Sequence, residues 1–580
     1  MRSVLLSLLP LTAPALAAKL AKTYPGDAAY PTQADWDALN STIGGNLVAA
    51  VLPARACYPP ISDPVACKAA AAFSNDDILV PQDPVLVQAP WWSGNKCVAN
   101  ISATGSCELG NYPDYVVAAK NAQHVSDGVK FAKKFNLRLS VKNTGHDFLG
   151  RNLGLGSLSI WTYGLQGIEV LDNWFPTGAP KGYGTTGAKV VRYGTAIQFG
   201  QLYDAAKKGN VTVVGGADST VGAGGGWQQG GGHGRLSNNF GLGVDQVLEY
   251  EIVLPDGKIV IANKNAYSDL FNALLGGGGG TWGITTKITI KAYPRFSVVG
   301  CANIAIAANP NATTGGFAEA MGFFLAQSGK FVDFGLTGYP NLFPNGFSGP
   351  FTAAGKTNDE VLALLKPVQD GVAVRGGIMT VTPMTISDPA DLAAPNTDGN
   401  VGTNQTQPGN VIFGSRLLSR KSVEDEVAMT KVLKTLFSQG FYALPYPILG
   451  GQVAKNALSG ATFGLNPAWR SAIMHFIYVD IGASRFSLDT VAVKAAHQRI
   501  VDVITPVVDP LSVNSGAYLN EANYLEPNPK KTFWGGELRY KALLAIKKKY
   551  DPTNVFWCNP CIGYEAFYQG DDGKLYITGP

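Results

Sequence analysis

The chain has 580 residues, with 46 Lys and Arg against 42 Asp and Glu, for a net charge of +4. A balance so near neutral, with only 15% charged residues, excludes nucleic acid and acidic polymers as partners, and the one basic run, residues 547–549, reads as the exposed end of a helix. The length, with 69 glycines and 35 prolines, predicts at least two domains rich in tight turns.

Residues 1–18 combine Arg2, a short apolar stretch and small residues at Ala15 and Ala17, the pattern of a cleaved secretory signal. No later run is long and apolar enough for a membrane-spanning helix, so a secreted protein that works away from membranes is expected. Asn-x-Ser/Thr sites at Asn40, Asn100, Asn210, Asn311 and Asn404 agree with export. The seven cysteines group as Cys57 with Cys67, Cys97 with Cys107, Cys558 with Cys561, and Cys301. The two N-terminal couples read as local disulfides, and the odd number leaves at least one thiol over.

Residues 26–75, rich in Pro, Ala and Asp, read as an irregular wrap. From Tyr112 order improves: Val125, Val129 and Ala132 recur at helical spacing, the strand-like 137–141 follows, then a turn with His146, then a strand at 157–161. A helix over 196–210 leads into an apparent strand, "VTVVGG", and a glycine tract over 215–246. Residues 247–262 read as a hairpin turning at Asp256-Gly257, 266–275 as a helix, and 284–291 as a half-buried strand. Beyond Pro294, strand candidates at 297–307, 410–418 and 471–481 alternate with helices, interrupted by a long polar loop at 385–410. A final helix carries Leu543 and Ile546 inward and stops at Asp551-Pro552. The division expected is 19–111 as N-terminal extension and start of the cofactor domain, 112–295 as the cofactor domain proper, 296–513 as a substrate domain with a sheet covered by helices on one face, and 514–580 returning to the cofactor domain.

The glycine tract lacks the helical periodicity that a Rossmann fingerprint requires after its strand. Its glycines instead let backbone amides approach a ligand, while Val221, Trp227, Leu236, Phe240 and Leu242 are interspersed like core contacts rather than linker residues. Three stretches, "VKNTGHDFLGR", "GGGWQQGGGHGRLSNNFGLGVDQVLEYEIVLPDGK" and "YDPTNVFW", together resemble the FAD-linked oxidases of the vanillyl-alcohol-oxidase/p-cresol-methylhydroxylase type. More narrowly they resemble the secreted fungal branch related to berberine bridge enzyme. The resemblance covers roughly residues 30–295 and 515–567. It implies an α+β fold, with a two-part FAD-binding domain and an inserted domain of antiparallel sheet and helices.

It also implies site residues. Amides around Asn143, Thr144 and Gly145 bind the FAD pyrophosphate, and His146 bonds covalently to the flavin 8α-methyl group. Lys142, Asp147, Leu149 and Gly150 belong to the same cofactor turn. Along the tract follow Gly215, Gly216, Thr220, Val221, Gly222, Gly225, Gly226, Gly230, Gly232, Leu236 and Asp245, and later Gly283, Ile284 and Tyr540. Many relatives add a second tether, a cysteine where this chain has Asp218, so a single covalent bond is expected. The other departure is Arg539 before Tyr540, an arginine placed to stabilise reduced flavin.

Hydride transfer to flavin with O2 as final acceptor needs a base near the substrate. His233 either orients substrate and shuttles protons or packs structurally. Tyr518 acts as a base if a nearby positive charge lowers its pKa, or is an ordinary interface tyrosine. Glu521 ranks below it as a base, pairing with a basic residue being its competing role. His475 either sits on a sheet face above the flavin or, the preferred reading, is a satisfied core or surface histidine; His124 reads as structural and His497 as solvent-facing. No spacing fits zinc, and "CNPC" lacks a second ligand pair, so no metal is expected. The expectation is a monomeric secreted oxidase of a small alcohol or secondary metabolite that yields H2O2. The alternatives are a carbohydrate oxidase, disfavoured by Asp218, and a catalytically lapsed binding glycoprotein.

Overall fold

A computed structural model of the chain describes residues 19–100, 103, 105–180, 187–386, 388, 412–456, 464–480 and 489–578. The signal segment, most of the polar loop at 385–410 and Asn404 lie outside the described residues.

The first sheet has four strands in the order β1 (Leu47–Ala49), β2 (Tyr115–Ala118), β4 (Leu158–Trp161), β3 (Leu139–Lys142). β2 and β3 both run parallel to β4. The helix Ala122–Lys134 links β2 to β3. Asn121 caps it by accepting the His124 amide, and it buries Val125, Val129 and Ala132. Each buried valine is worth roughly 1.5–3 kcal/mol. Gly128 lets this helix press close to the sheet: a Cβ there would lie 2.5 Å from Ile160 Cδ1.

The second sheet is antiparallel, in the order β5 (Ile168–Trp174), β6 (Ala188–Gly194), β9 (Ile284–Lys291), β7 (Val247–Val253), β8 (Ile259–Asn263). β7 and β8 form the expected hairpin, with Gly257 at φ +82°. The third sheet, also antiparallel, contains β10 (Val299–Ala308), β11 (Leu336–Gly338), β12 (Asn341–Phe343), β13 (Gly346–Ala354), β14 (Gly377–Pro383), β15 (Phe413–Ser419), β16 (Phe441–Tyr446) and β17 (Ala472–Asp480). Its path is β14-β10-β13-β12-β16-β17-β15, with β11 paired to β13.

Alternation on that third sheet decides where the site lies. Phe441, Ala443, Met474, Phe476 and Tyr478 join a core with the helices Phe317–Ala326, Asn358–Val374 and Glu426–Ser438. Tyr442, Leu444, Tyr446, Ile477 and Val479 point the other way. The returning C-terminal segment shares the second sheet's core through Tyr518, Leu519, Trp534 and Leu543. The α+β class and the antiparallel sheet with helices therefore hold.

Several local expectations do not. The wrap at 26–75 contains the helices Gln33–Thr42 and Pro64–Ser74, started by Thr32 and Asp63 caps. "VTVVGG" forms no strand: only Thr212 bridges Tyr293, although Val211, Val213 and Val214 are buried. Lys548 and Lys549 are exposed in the last turn of the helix Glu537–Tyr550, as expected, but Lys547 is not. Its ammonium is 2% exposed and donates to the carbonyls of Thr281 and Phe556 and to Asp551. His497 does not face solvent either; it is 3% exposed, its ring stacked 5.0 Å from Trp91. Both local couples form disulfides, as do Cys558 and Cys561, leaving Cys301 outside any bridge. Among the described residues no helix is long and apolar enough to cross a membrane.

Candidate functional site

One cavity of about 1020 Å³ runs between the first two sheets and the third. It is at the top of the range of roughly 300–1,000 Å³ typical for one small ligand, so it has room for a cofactor and a substrate together.

At one end the wall is main chain. β3 stops at Lys142, and Gly145 at φ +98° turns the chain so that Asn143, Thr144, Gly145, His146 and Asp147 line the cavity. Asn143 is held by its amide donating to the Thr195 carbonyl at 2.8 Å, and Thr144 Oγ1 accepts the Gly222 amide. Opposite lie Gly216, Val221, Gly222, Gly225 and Gly226, with Gly283 and Ile284 beyond. A Cβ at Gly222 or Gly225 would come within 2.5 or 2.7 Å of Asn143 Nδ2. Asn143 Oδ1 is buried with no protein partner. Closely approaching main chain leaves room for the diphosphate of a dinucleotide such as FAD, while the orphaned Asn143 Oδ1, an acceptor, fits a hydroxyl of its sugar chain.

The other predicted cofactor residues stand behind this wall or away from it. Lys142 is buried and donates to the carbonyls of Val80 and Asp83, and burial pushes its pKa down to about 7. Thr220 supports His146 from behind. Leu149 and Gly150 pack inward, Gly150 against Trp92. Gly215, Gly230 and Gly232 pack against Tyr203, Asn520 and Trp227, and Leu236 is core. Asp245 does not reach the cavity, because both its oxygens take Arg470, at 2.7 and 2.8 Å. Tyr540 is likewise outside, donating to Glu565 and accepting the Gly563 amide. Arg539 donates to the Leu465 carbonyl, so it lies away from the cavity too.

At the other end side chains make the wall. Glu521 Oε2 lies 3.0 Å from His233 Nε2, and His233 Nδ1 lies 2.9 Å from the Tyr339 hydroxyl. A carboxylate only accepts, so Nε2 carries the ring proton and Nδ1 accepts from Tyr339. Burial works against ionisation of Glu521, but the hydrogen bond from His233 holds its carboxyl below the usual range. His475, on β17, is fully buried on the cavity side, with Nδ1 3.4 Å from Glu521 and no hydrogen bond to either nitrogen. Of its two readings the sheet-face position is the one the structure favours, since neither ring nitrogen is hydrogen-bonded; burial outweighs Glu521 and pushes its pKa down to about 3. Donor atoms of His233, His475 and Glu521 lie within 4.8 Å of one another, a grouping no motif signalled. His124, half-buried on its helix, lies away from the cavity.

Tyr518 lines the cavity with its hydroxyl accepting from Asn520 at 2.9 Å. Burial and the neighbouring Glu521 push its phenol above its ordinary value, the reverse of what a base needs. Asn520 also accepts from Arg151, which grips Asp147, so the histidine turn and the returning segment are joined. Sequence reasoning missed Arg151, Tyr339 and Asn520. It also missed Tyr442, Leu444 and Tyr446, whose period-two pattern on one strand was the available signal.

Two family models match the chain: one described as an FAD binding domain over residues 113–263, the other as berberine and berberine like over 517–563. The FAD-linked oxidoreductase ZEB1 of Gibberella zeae is 31% identical over 565 residues, 96% of this chain and 94% of its own. The VAO-type flavoprotein oxidase VAO615 of Thermothelomyces thermophilus is 31% identical over 568 residues, 96% of this chain and 95% of its own. The crystal structure of the VAO-type flavoprotein MtVAO713 from Myceliophthora thermophila C1 superimposes with a TM-score of 0.87 at 29% identity, covering 97% of this chain and 100% of that one.

Proposed function

This chain belongs to the FAD-linked oxidoreductases of the vanillyl-alcohol-oxidase and berberine-bridge type, and from that membership we propose a secreted, monomeric oxidase of a small, largely apolar alcohol that carries FAD on a single covalent bond to His146. Bound FAD supplies the hydride acceptor, and O2 takes the electrons on to H2O2. The amides of residues 143–146 and of Gly225 and Gly226 hold the cofactor's diphosphate, the Gly222 amide being spent on Thr144.

Glu521 takes the proton of the substrate hydroxyl. Its ionised state at neutral pH makes it ready to do so, and His233 donates to it and steadies it through the hydrogen bond from Tyr339. Tyr518, protonated and fixed by Asn520, orients the substrate oxygen. Phe343, Phe413, Leu444, Ile477 and Val479 give the substrate an apolar wall, which suits an aromatic or aliphatic alcohol better than a sugar studded with hydroxyls.

The observation that carries the reading is the Tyr339–His233–Glu521 chain ending in the cavity that His146 also lines. The test is direct. Acid-precipitated protein should leave a yellow, fluorescent pellet that His146→Ala protein lacks, and apolar alcohols should bleach the flavin and yield peroxide faster than sugars. An unmodified His146 peptide in yellow holoprotein would end the covalent proposal.

A further inference from the structure

Behind His146 lies a short hydrogen-bond chain that substrate oxidation does not use. Its Nε2 is 2.8 Å from Thr220 Oγ1. The same hydroxyl is 2.8 Å from Asp218 Oδ1, which also accepts the Thr220 amide at 2.9 Å. A hydroxyl has one proton and a carboxylate can only accept, so that proton points to Asp218. Toward the imidazole Thr220 therefore presents a lone pair, and Nε2 carries the ring hydrogen. Nδ1 keeps its own lone pair and, among the described residues, makes no hydrogen bond. Burial, with Lys142 adding to it, holds the imidazole below its ordinary pKa against the pull of Asp218 and Asp77, so the ring is a neutral nucleophile.

We propose that Asp218 and Thr220 form a positioning relay by which the chain attaches its own cofactor. They select the Nε2–H tautomer, leave Nδ1 to make the bond, and receive the Nε2 proton as it forms. The inference rests on the covalent reading above. The bond that forms joins Nδ1 to the flavin 8α carbon, and the bond that breaks is one C–H of that methyl group. The Nε2 hydrogen departs through Thr220 to Asp218. The two electrons pass to the isoalloxazine and from there to dioxygen, which leaves as hydrogen peroxide with two protons, one from the methyl group and one from the imidazole. Position 218, where the resemblance puts a second tether in many relatives, thus serves the single bond here.

The test uses full-length protein produced in a riboflavin-starved host and then mixed with FAD. Covalent incorporation is followed by fluorescence of the acid pellet and by the mass of the His146 peptide, and non-covalent FAD affinity by fluorescence quenching. Thr220→Val and Asp218→Asn should each incorporate roughly 100-fold more slowly at unchanged FAD affinity, and Thr220→Ser should restore the rate. Wild-type incorporation in either Thr220→Val or Asp218→Asn, a Thr220→Ser protein as slow as Thr220→Val, or a slowing matched by lost FAD affinity would overturn the relay. The two proposals fail differently. A wild-type protein that never labels removes the covalent reading itself, whereas equal labelling of wild type and Thr220→Val removes only the relay.

Discussion

The cofactor end of the cavity and the substrate end are made of different material. Around Asn143–Gly145 and Gly222–Gly226 the lining is backbone, set so closely that one added carbon at Gly222 would lie 2.5 Å from Asn143. Across the cavity, β16 and β17 contribute alternating side chains, Tyr442, Leu444 and Tyr446 facing Ile477 and Val479. A backbone wall binds what every molecule of one cofactor shares, and it tolerates almost no change. A side-chain wall rests on a sheet whose opposite face is separately packed against helices, so its residues can vary without disturbing the fold. That difference accounts for a cofactor class that can be named and a substrate that is bounded only by polarity.

Substitutions should separate the two ends. The largest effect falls on the acid–base chain: Glu521→Gln should lower kcat by roughly 10²–10⁴ while the acid-pellet flavin stays at the wild-type level. If flavin content falls with it, the ends are not independent. Gly222→Val should do the opposite. Crowding of about 1–3 kcal/mol translates to roughly 10- to 100-fold weaker FAD binding, read by titrating flavin-free protein. Ile477→Ala should change KM for an apolar alcohol by about 10-fold with flavin content little altered, and Tm should fall as well because Ile477 also packs against Phe413 and Val479.

The smallest effect concerns pH. His475 is held neutral, its pKa pushed from 6.5 to about 3 by burial. As pH falls through 6.5 the unfolded chain takes up this proton first, so the folded state loses stability from there down toward 3 and none above 6.5. The slope is at most about 1.4 kcal/mol per pH unit, and His475→Gln should show a shallower drop of Tm between those limits. An unchanged slope would place the acid sensitivity in another group, with buried His497, pushed down to about 4, the next to replace.

What could be read in advance follows the same division. The His146 turn and the glycine tract stood out because a backbone that must approach a ligand restricts residue type at each step, leaving a mark in one dimension. Most of the glycines and turn residues so marked do line or back the cavity. Asp245 and Tyr540 do not, because a polar residue's partner is set by what packs opposite it, here Arg470 and Glu565. His233 meets Glu521 across 288 positions, and nothing local in either segment encodes that distance. The errors at Lys547 and His497 have the same origin: a helix shows its periodicity in sequence, while the face that turns inward depends on its neighbours.

By itself the order of residues determined most of the sheet-and-helix alternation, the glycine-marked turn that brings His146 to the cavity, and the two N-terminal disulfide couples, since each depends on contacts within a few residues or on backbone freedom. Only the tertiary structure decided which histidine meets the carboxylate, which tyrosine stays protonated, and that Asp218 stands behind His146 through Thr220. Those properties arise from burial and from charges brought within about 4 Å across distant segments, where a low dielectric makes a single neighbour decisive.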